Sequence, residues 1–235
     1  MKVLSTYIFL AFIITPFQLK SQVSFDFYGG LASYTMSDLK EVNSQTIKSM
    51  PFQVITVDNF NPGPFIGTSL SLKISGQHLL GLHYQYNTTG SRIGQKDYSG
   101  YYTYDQITNG HLIGIKPETI IEQNNLFTLS LSIMTGVIIT RLKMKEQFSV
   151  NDVLLEDSLF LVAHSVPVYP SLKLSIPVID ILSGTITLGY LYDTGGKLHR
   201  DGNRYAVYGI NGNPVKTGWT GFRITAGASL KFRKT

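Results

Sequence analysis

A chain of 235 residues with 14 Tyr, 13 Phe, 22 Gly and only 15% charged residues suits one β-rich, turn-rich domain and excludes a disordered segment. Its mean hydropathy of +0.07 excludes a bundle of membrane helices. The formal charge is +5, falling to about +3 without Lys2 and Lys20 (18 bases against 15 acids), too slight to imply a nucleic-acid partner.

The first element is a leader. Lys2 is a basic flank, Val3 to Phe17 is an apolar run, and Leu19-Lys20-Ser21-Gln22 offers a cut after Ser21. The expected organisation is a signal peptide over 1–21 and one β-barrel domain over 22–235. There is no cysteine, so an exported domain must be held by something other than disulfides. A hydrogen-bonded sheet closed on itself in lipid would suffice.

Alternating stretches follow in chain order. Val23 to Tyr34 sets Phe25 and Phe27 against Asp26, Tyr28 and Gly30. The stretch FIGTSLSLKISGQHLLGLHYQY, from Phe65 to Tyr86, is a hairpin: Ile66, Leu70, Leu72, Leu80 and Leu82 face one way, Ser69, Ser71, Lys73 and His83 the other. Gln106 to Glu118 sets Ile113 and Ile115 against Leu112, Gly114 and Lys116. Phe127 to Thr140 is the clearest, with Leu129, Leu131, Ile133 and Val137 opposite Ser130, Ser132, Met134 and Ile138. Ala163 to Ile176, Gly184 to Asp193 and Gly218 to Arg233 complete the set. Most are about 10 to 14 residues long, right for a tilted membrane crossing.

The connections alternate in length. Met36 to Pro64, Thr88 to Asp105, Leu142 to Phe160 and Thr194 to Thr217 are long; Ser75 to Gln77, Glu118 to Asn125 and Pro177 to Ser183 are short. Tyr84, Tyr86, Tyr190 and Tyr192 end outward-running strands, and Phe25, Phe27, Phe127 and Phe232 lie near the other ends, as two aromatic girdles would. The expected fold is all-β: an eight-stranded antiparallel up-and-down transmembrane β-barrel with short periplasmic turns and long extracellular loops, in the cell outer membrane. Its neighbours there would be outer-membrane lipid and lipopolysaccharide, and it would meet the barrel-insertion machinery.

The leader ending LKSQ, the start VSFDFYGGLASY, the hairpin SLSLKISGQHLLGLHYQYN and the final strand GFRITAGASLKF resemble the porin-like or PorT-like outer-membrane β-barrel proteins common in Bacteroidetes. The chain is similar in size to the small OmpX and OmpA-domain barrels. The resemblance covers nearly all of the mature chain and is one of pattern, so it implies fold and location rather than activity. One departure is that Phe232 is followed by Arg233-Lys234-Thr235, where such barrels often finish on the aromatic residue itself.

An eight-stranded barrel is filled by side chains. The lumen set is Asp26, Lys73, His83, Lys116, Lys173, Arg223 and Lys231, with bases outnumbering carboxylates. No catalytic, cofactor-binding or metal site is expected. The five His (His78, His83, His111, His164, His199) have no ligand spacing, and no glycine loop cradles a phosphate. The working surface falls on the loops. Tyr98, Tyr101, Tyr102 and Tyr104 bring contact area with little rotamer entropy to lose, as an extracellular or envelope protein partner would require. SDLKEVNSQTIK suggests a short helix capped by Ser37 with Leu39, Val42 and Ile47 on one side. Asn211-Gly212 suggests a hairpin turn within a basic loop carrying Lys197, Arg200, Arg204 and Lys216.

Three readings stand open. The first is a non-enzymatic structural or surface-binding barrel, or an accessory of secretion or envelope assembly. The second is a lipid-modifying enzyme using His199, Asp201 and Asp193 with Ser91 or Ser99. The third is a soluble lipocalin-like carrier with the Leu/Ile set inside.

Overall fold

A segment whose apolar and polar residues alternate separates the two sets only if the backbone is extended. The computed structural model, which describes residues 22–96, 98, 100–150, 153–210 and 212–232, is built of such segments. The leader over 1–21, Ser99, Asn211 and the tail Arg233-Lys234-Thr235 lie outside the described residues.

The main strands are β1 (Val23–Ala32), β3 (Gly63–Lys73), β4 (His78–Lys96), β5 (Gly100–Gln123), β6 (Thr128–Val150), β7 (Val153–Ser165), β8 (Pro167–Ile179), β9 (Leu182–Asp193) and β16 (Gly221–Phe232). A short β2 (Ile55–Asn59) pairs with β4. The segment after β9 forms β10 (Gly196–Lys197), β11 (His199–Arg200), β12 (Asn203–Val207), β13 (Gly209–Ile210), β14 (Asn213–Pro214) and β15 (Lys216–Thr217). One helix, α1 (Ser37–Ser49), lies between β1 and β2.

All ladders are antiparallel. β1 pairs with β3, β3 with β4, β4 with β5 and β5 with β6. β6 takes two partners end to end, β8 against Thr128–Thr135 and β7 against Ile138–Val150. β8 then pairs with β9, β9 with β16, and β16 with β1 from Val23↔Phe232 to Ala32↔Arg223. The path returns to its start through the β6–β8 pairing, so the sheet closes into a barrel at the turn half, while toward the head it ends on β12 and β2.

The two ends differ. At the turn end, β3–β4, β5–β6 and β8–β9 are joined tightly. The Asn124 side chain sets the second of these by accepting the Leu126 and Phe127 N–H groups at 2.9 and 2.8 Å. At the opposite, head end the expected loops Thr88–Asp105 and Leu142–Phe160 are mostly strand: β4, β5 and β6 run 19, 24 and 23 residues. The reason lies on the outward face. Along β4 and β5 it changes from Leu82 and Ile113 to Arg92 and Asp105, so the apolar alternation stops while the ladder continues. Phe27 is also midway along β1 rather than at an end.

α1 begins at Ser37, but Ser37 is not its cap. Met36 holds the N-cap position at φ 40 with no side-chain hydrogen bond. A left-handed methionine persists because its side chain is fully buried. Leu39 and Val42 are buried, as their spacing predicts.

The wall is inverted relative to a soluble barrel. Outward Leu82 is 65% exposed, with Leu31, Ile66, Ile113, Ile133, Ile186 and Phe222 exposed alongside. Inward Ser69, Ser71, Ser130, Ser132, Ser171, Thr225 and Ser229 are buried. Toward the head the interior becomes apolar: Leu112, Met134, Ile138, Leu142, Leu161 and Leu191 join Tyr34, Met36, Leu39 and Trp219 in one cluster. The polar lumen set therefore lies mainly in the turn half, and Leu112, Met134 and Ile138 on the same inward face belong to the apolar cluster.

Candidate functional site

The polar half of the lumen centres on four charges. Asp26 on β1, Lys116 and Glu118 on β5, and Lys173 on β8 meet in the middle. Lys173 Nζ lies 2.7 Å from Glu118 Oε1 and 3.3 Å from Asp26 Oδ2. Lys116 Nζ lies 3.3 Å from Glu118 Oε2 and 3.5 Å from Asp26 Oδ2. Ser69 donates to Asp26 at 3.1 Å and Ser130 to Glu118 at 2.8 Å. Two ammonium groups thus face two carboxylates; Ser130 adds a neutral donor to Glu118 and Ser69 one to Asp26 Oδ2, while Asp26 Oδ1 is buried without a hydrogen-bond partner.

Of the expected lumen residues, Asp26, Lys116 and Lys173 come together here. Lys73 and Lys231 sit half-buried on the inward face near the turn end, outside this cluster. His83 is buried beside Tyr28, whose hydroxyl is 3.1 Å from Nε2. Arg223 lies higher, donating to Asn87 Oδ1 at 2.7 Å, with its guanidinium 5.3 to 5.9 Å from the Phe65, Tyr169 and Tyr34 ring centres. Glu118, Tyr28 and Tyr169 were missed at the sequence level. Glu118 stands two residues after Lys116 on the same face of a strand, which was the available signal. With Glu118 counted, the bases of the central cluster no longer outnumber its carboxylates.

Inward glycines make room for the rings. An added Cβ at Gly67 would stand 2.3 Å from the Tyr28 hydroxyl, and one at Gly110 2.7 Å from the Trp219 ring. The lumen holds a cavity of about 30 Å³ lined by Asp26, Tyr28, His83, Lys116, Tyr169 and Lys173. That is room for about two water molecules.

Trp219 closes the head side. It is fully buried, its Nε1 donates to Thr140 Oγ1 at 2.9 Å, and its N–H donates to Asp193 Oδ2 at 3.0 Å. α1 is clamped over it. Lys216 N–H donates to Asp38 Oδ2 at 3.0 Å, and buried Asn43 bonds Asn59, Ser91 and Gln106 at 3.1, 2.9 and 2.9 Å.

The four head tyrosines do not form one surface. Tyr98 is 104% exposed, Tyr101 is half-buried, and Tyr102 is 4% exposed within a small cluster with Val54 and Ile93. Burial pushes the Tyr102 hydroxyl above its ordinary range. Tyr104 bridges the two apolar clusters. Tyr102 is thus a core residue, because the strand continues past the exposed apolar belt and its inward parity persists. Beside it opens a cleft of about 230 Å³ lined by Phe52, Gln95, Tyr101, Tyr102, Phe148 and Val150.

The candidate acid, base and nucleophile are not brought together. Ser91 bonds Asn43, and Asp193 accepts the Trp219 and Gly195 N–H groups. Among the described residues no hydrogen bond links His199 to Ser91, Asp193 or Asp201. No group of three or more His, Cys, Asp or Glu among the described residues could hold a metal ion.

No protein-family model matches the chain, and neither does any curated protein sequence. Solved structures do. Ail, the attachment invasion locus protein of Yersinia pestis, is 14% identical at a TM-score of 0.38, covering 90% of this chain and 97% of that one. The outer membrane protein OprG of Pseudomonas aeruginosa is 9% identical at 0.42, covering 91% and 96%. The outer membrane protease OmpT of Escherichia coli is 10% identical at 0.37, covering 90% and 96%. All three scores lie below 0.5, so the reading of this chain rests on its own geometry.

Proposed function

We propose that the chain is a non-enzymatic outer-membrane protein: an eight-stranded up-and-down barrel, β7 and β8 counted as one wall segment, with the head end extracellular. The observation that carries it is the inverted wall. A closed sheet with Leu, Ile and Phe exposed on its outside and ion-paired Lys, Asp and Glu inside is stable where the surroundings are apolar. The reading of a soluble carrier requires the opposite faces.

The barrel acts as a closed anchor, not a pore. Its lumen is spanned by the Asp26–Lys116–Glu118–Lys173 cluster and overlaid by Trp219 and α1. Function then sits on the extracellular head, where the cleft beside Tyr101 and Phe148 suits a flat or aromatic group of a surface partner. An envelope-accessory role of the PorT-like kind would use the same surface.

Fractionation tests the location. The band should appear in the outer-membrane pellet and change its gel mobility on boiling. A soluble band that boiling does not shift would overturn the reading. Conductance of planar bilayers holding the protein should stay at the lipid baseline, and steady single-channel steps would overturn the closed lumen.

A further inference from the structure

Bases on the outside of the head strands differ in their partners. Farther from the turn end, Arg92 is held by Asp105 at 2.6 Å and Lys145 by Glu156 at 3.1 Å. Nearer the apolar wall, Arg141, Lys143 and His164 make no ion pair among the described residues. Register places these three together. Arg141 stands across from Asn109 and Val162, Lys143 from Ile107 and Phe160, and His164 from Ile139. Paired residues share a face, so all three point outward on the same side of the wall. Arg141 and His164 are exposed, and the Lys143 ammonium lies 5.5 Å from the Phe160 ring centre.

Toward the turn end lie Ile113 on β5, Val137 and Ile133 on β6, Val166 between β7 and β8, and Val168 on β8, all exposed and apolar. On the other flank, Val162 is paired with His199, whose Nδ1 is buried without a hydrogen-bond partner. A cleft of about 720 Å³ opens there, lined by His164, His199 and Arg200, with the Asp201 carboxylate on its rim.

We propose that this patch binds the phosphate of an outer-leaflet amphiphile, with Arg141, Lys143 and His164 as the anion ligands and His199 and Arg200 beside the headgroup. The proposal rests on the outer-membrane reading. Unpaired cations immediately above an apolar belt stand at the depth where a bilayer presents its charged headgroups. The occupant must carry an anion and apolar chains in that order along the wall. A free anion would leave the belt without a role, and the cleft is larger than a phosphate, leaving space for a sugar headgroup.

The test uses the full chain folded in neutral detergent and incubated with lipid A bearing its phosphates, or with the same lipid enzymatically dephosphorylated. Lipid retained per barrel after gel filtration is read by fatty-acid analysis. The wild type should retain the phosphorylated form at least about tenfold better, with the preference falling as salt is raised. The triple variant Arg141→Gln, Lys143→Gln, His164→Gln should lose that preference, and Arg92→Gln should keep it. Equal retention of both lipids by the wild type overturns the proposal without any variant. Displacement of the lipid by millimolar inorganic phosphate overturns it too, as an anion site that does not read lipid. A wild type that does not insert into vesicles defeats the outer-membrane reading instead. An inserted, heat-shifting barrel without lipid preference defeats this proposal alone.

Discussion

The two halves of the barrel interior solve the same filling problem with opposite chemistry. The turn half is filled by the wall itself: Ser and Thr side chains around two ammonium groups and two carboxylates. The head half is filled by inserted chain: Tyr34, Met36 and Leu39 from one connection and Leu198, Val215 and Trp219 from another, packed on Leu112, Met134, Ile138 and Leu142. A wall whose outside is apolar at the turn half keeps its polar residues for the inside. Where the apolar belt ends the outside turns polar, and the inside gains an apolar cluster. One sheet thus carries apolar residues outside at the turn half and inside at the head.

The largest effect should come from the apolar half. Trp219→Ala removes a fully buried indole and its bond to Thr140, and should cost about 4 kcal/mol. The loss should appear as faster hydrogen exchange in α1 and residues 194–220, with the boiling shift of the barrel kept. If exchange quickens equally in β1 and β16, the two halves are one cooperative unit and the comparison fails.

The polar half should answer next. Asp26→Ala leaves Lys116 and Lys173 with one carboxylate between them and should cost about 3 kcal/mol in urea unfolding from vesicles. Adding Lys173→Met should recover part of that loss, since the pair is coupled. A double variant as unstable as the sum of the two singles would show that the charges act independently.

Smaller changes refine the picture. Tyr28→Phe removes the hydroxyl facing His83 and should cost about 1 kcal/mol, measured in the same unfolding assay. Arg92→Gln breaks a bidentate pair to Asp105, but on a largely exposed side chain, and should cost no more than about 0.5 kcal/mol, shrinking further in high salt. A loss of several kcal/mol there would mean that the head strands are held by outside charges rather than by the core within.

Much of the site is legible in the sequence. The inward set Asp26, Lys116 and Lys173 follows from parity alone, and the same rule applied two residues further would have added Glu118. The triad residues show the limit: His199, Asp193 and Ser91 each stand where a loop chemistry is conceivable, and only contacts show that Asp193 and Ser91 serve backbone and helix instead.

The sequence by itself determined the alternation of faces, and with it the strands and the length of the turn-end connections, because side chains on an extended backbone point to opposite sides residue by residue. Tertiary structure decided what alternation does not encode. β4, β5 and β6 run on past the apolar belt because ladder hydrogen bonds are indifferent to hydropathy. Tyr102 is core because Val54, Ile93 and Phe52 pack on it. Trp219 and α1 fill the head because long-range packing around Gly110 and Asn43 leaves them that space, and no local pattern in the chain carries that information.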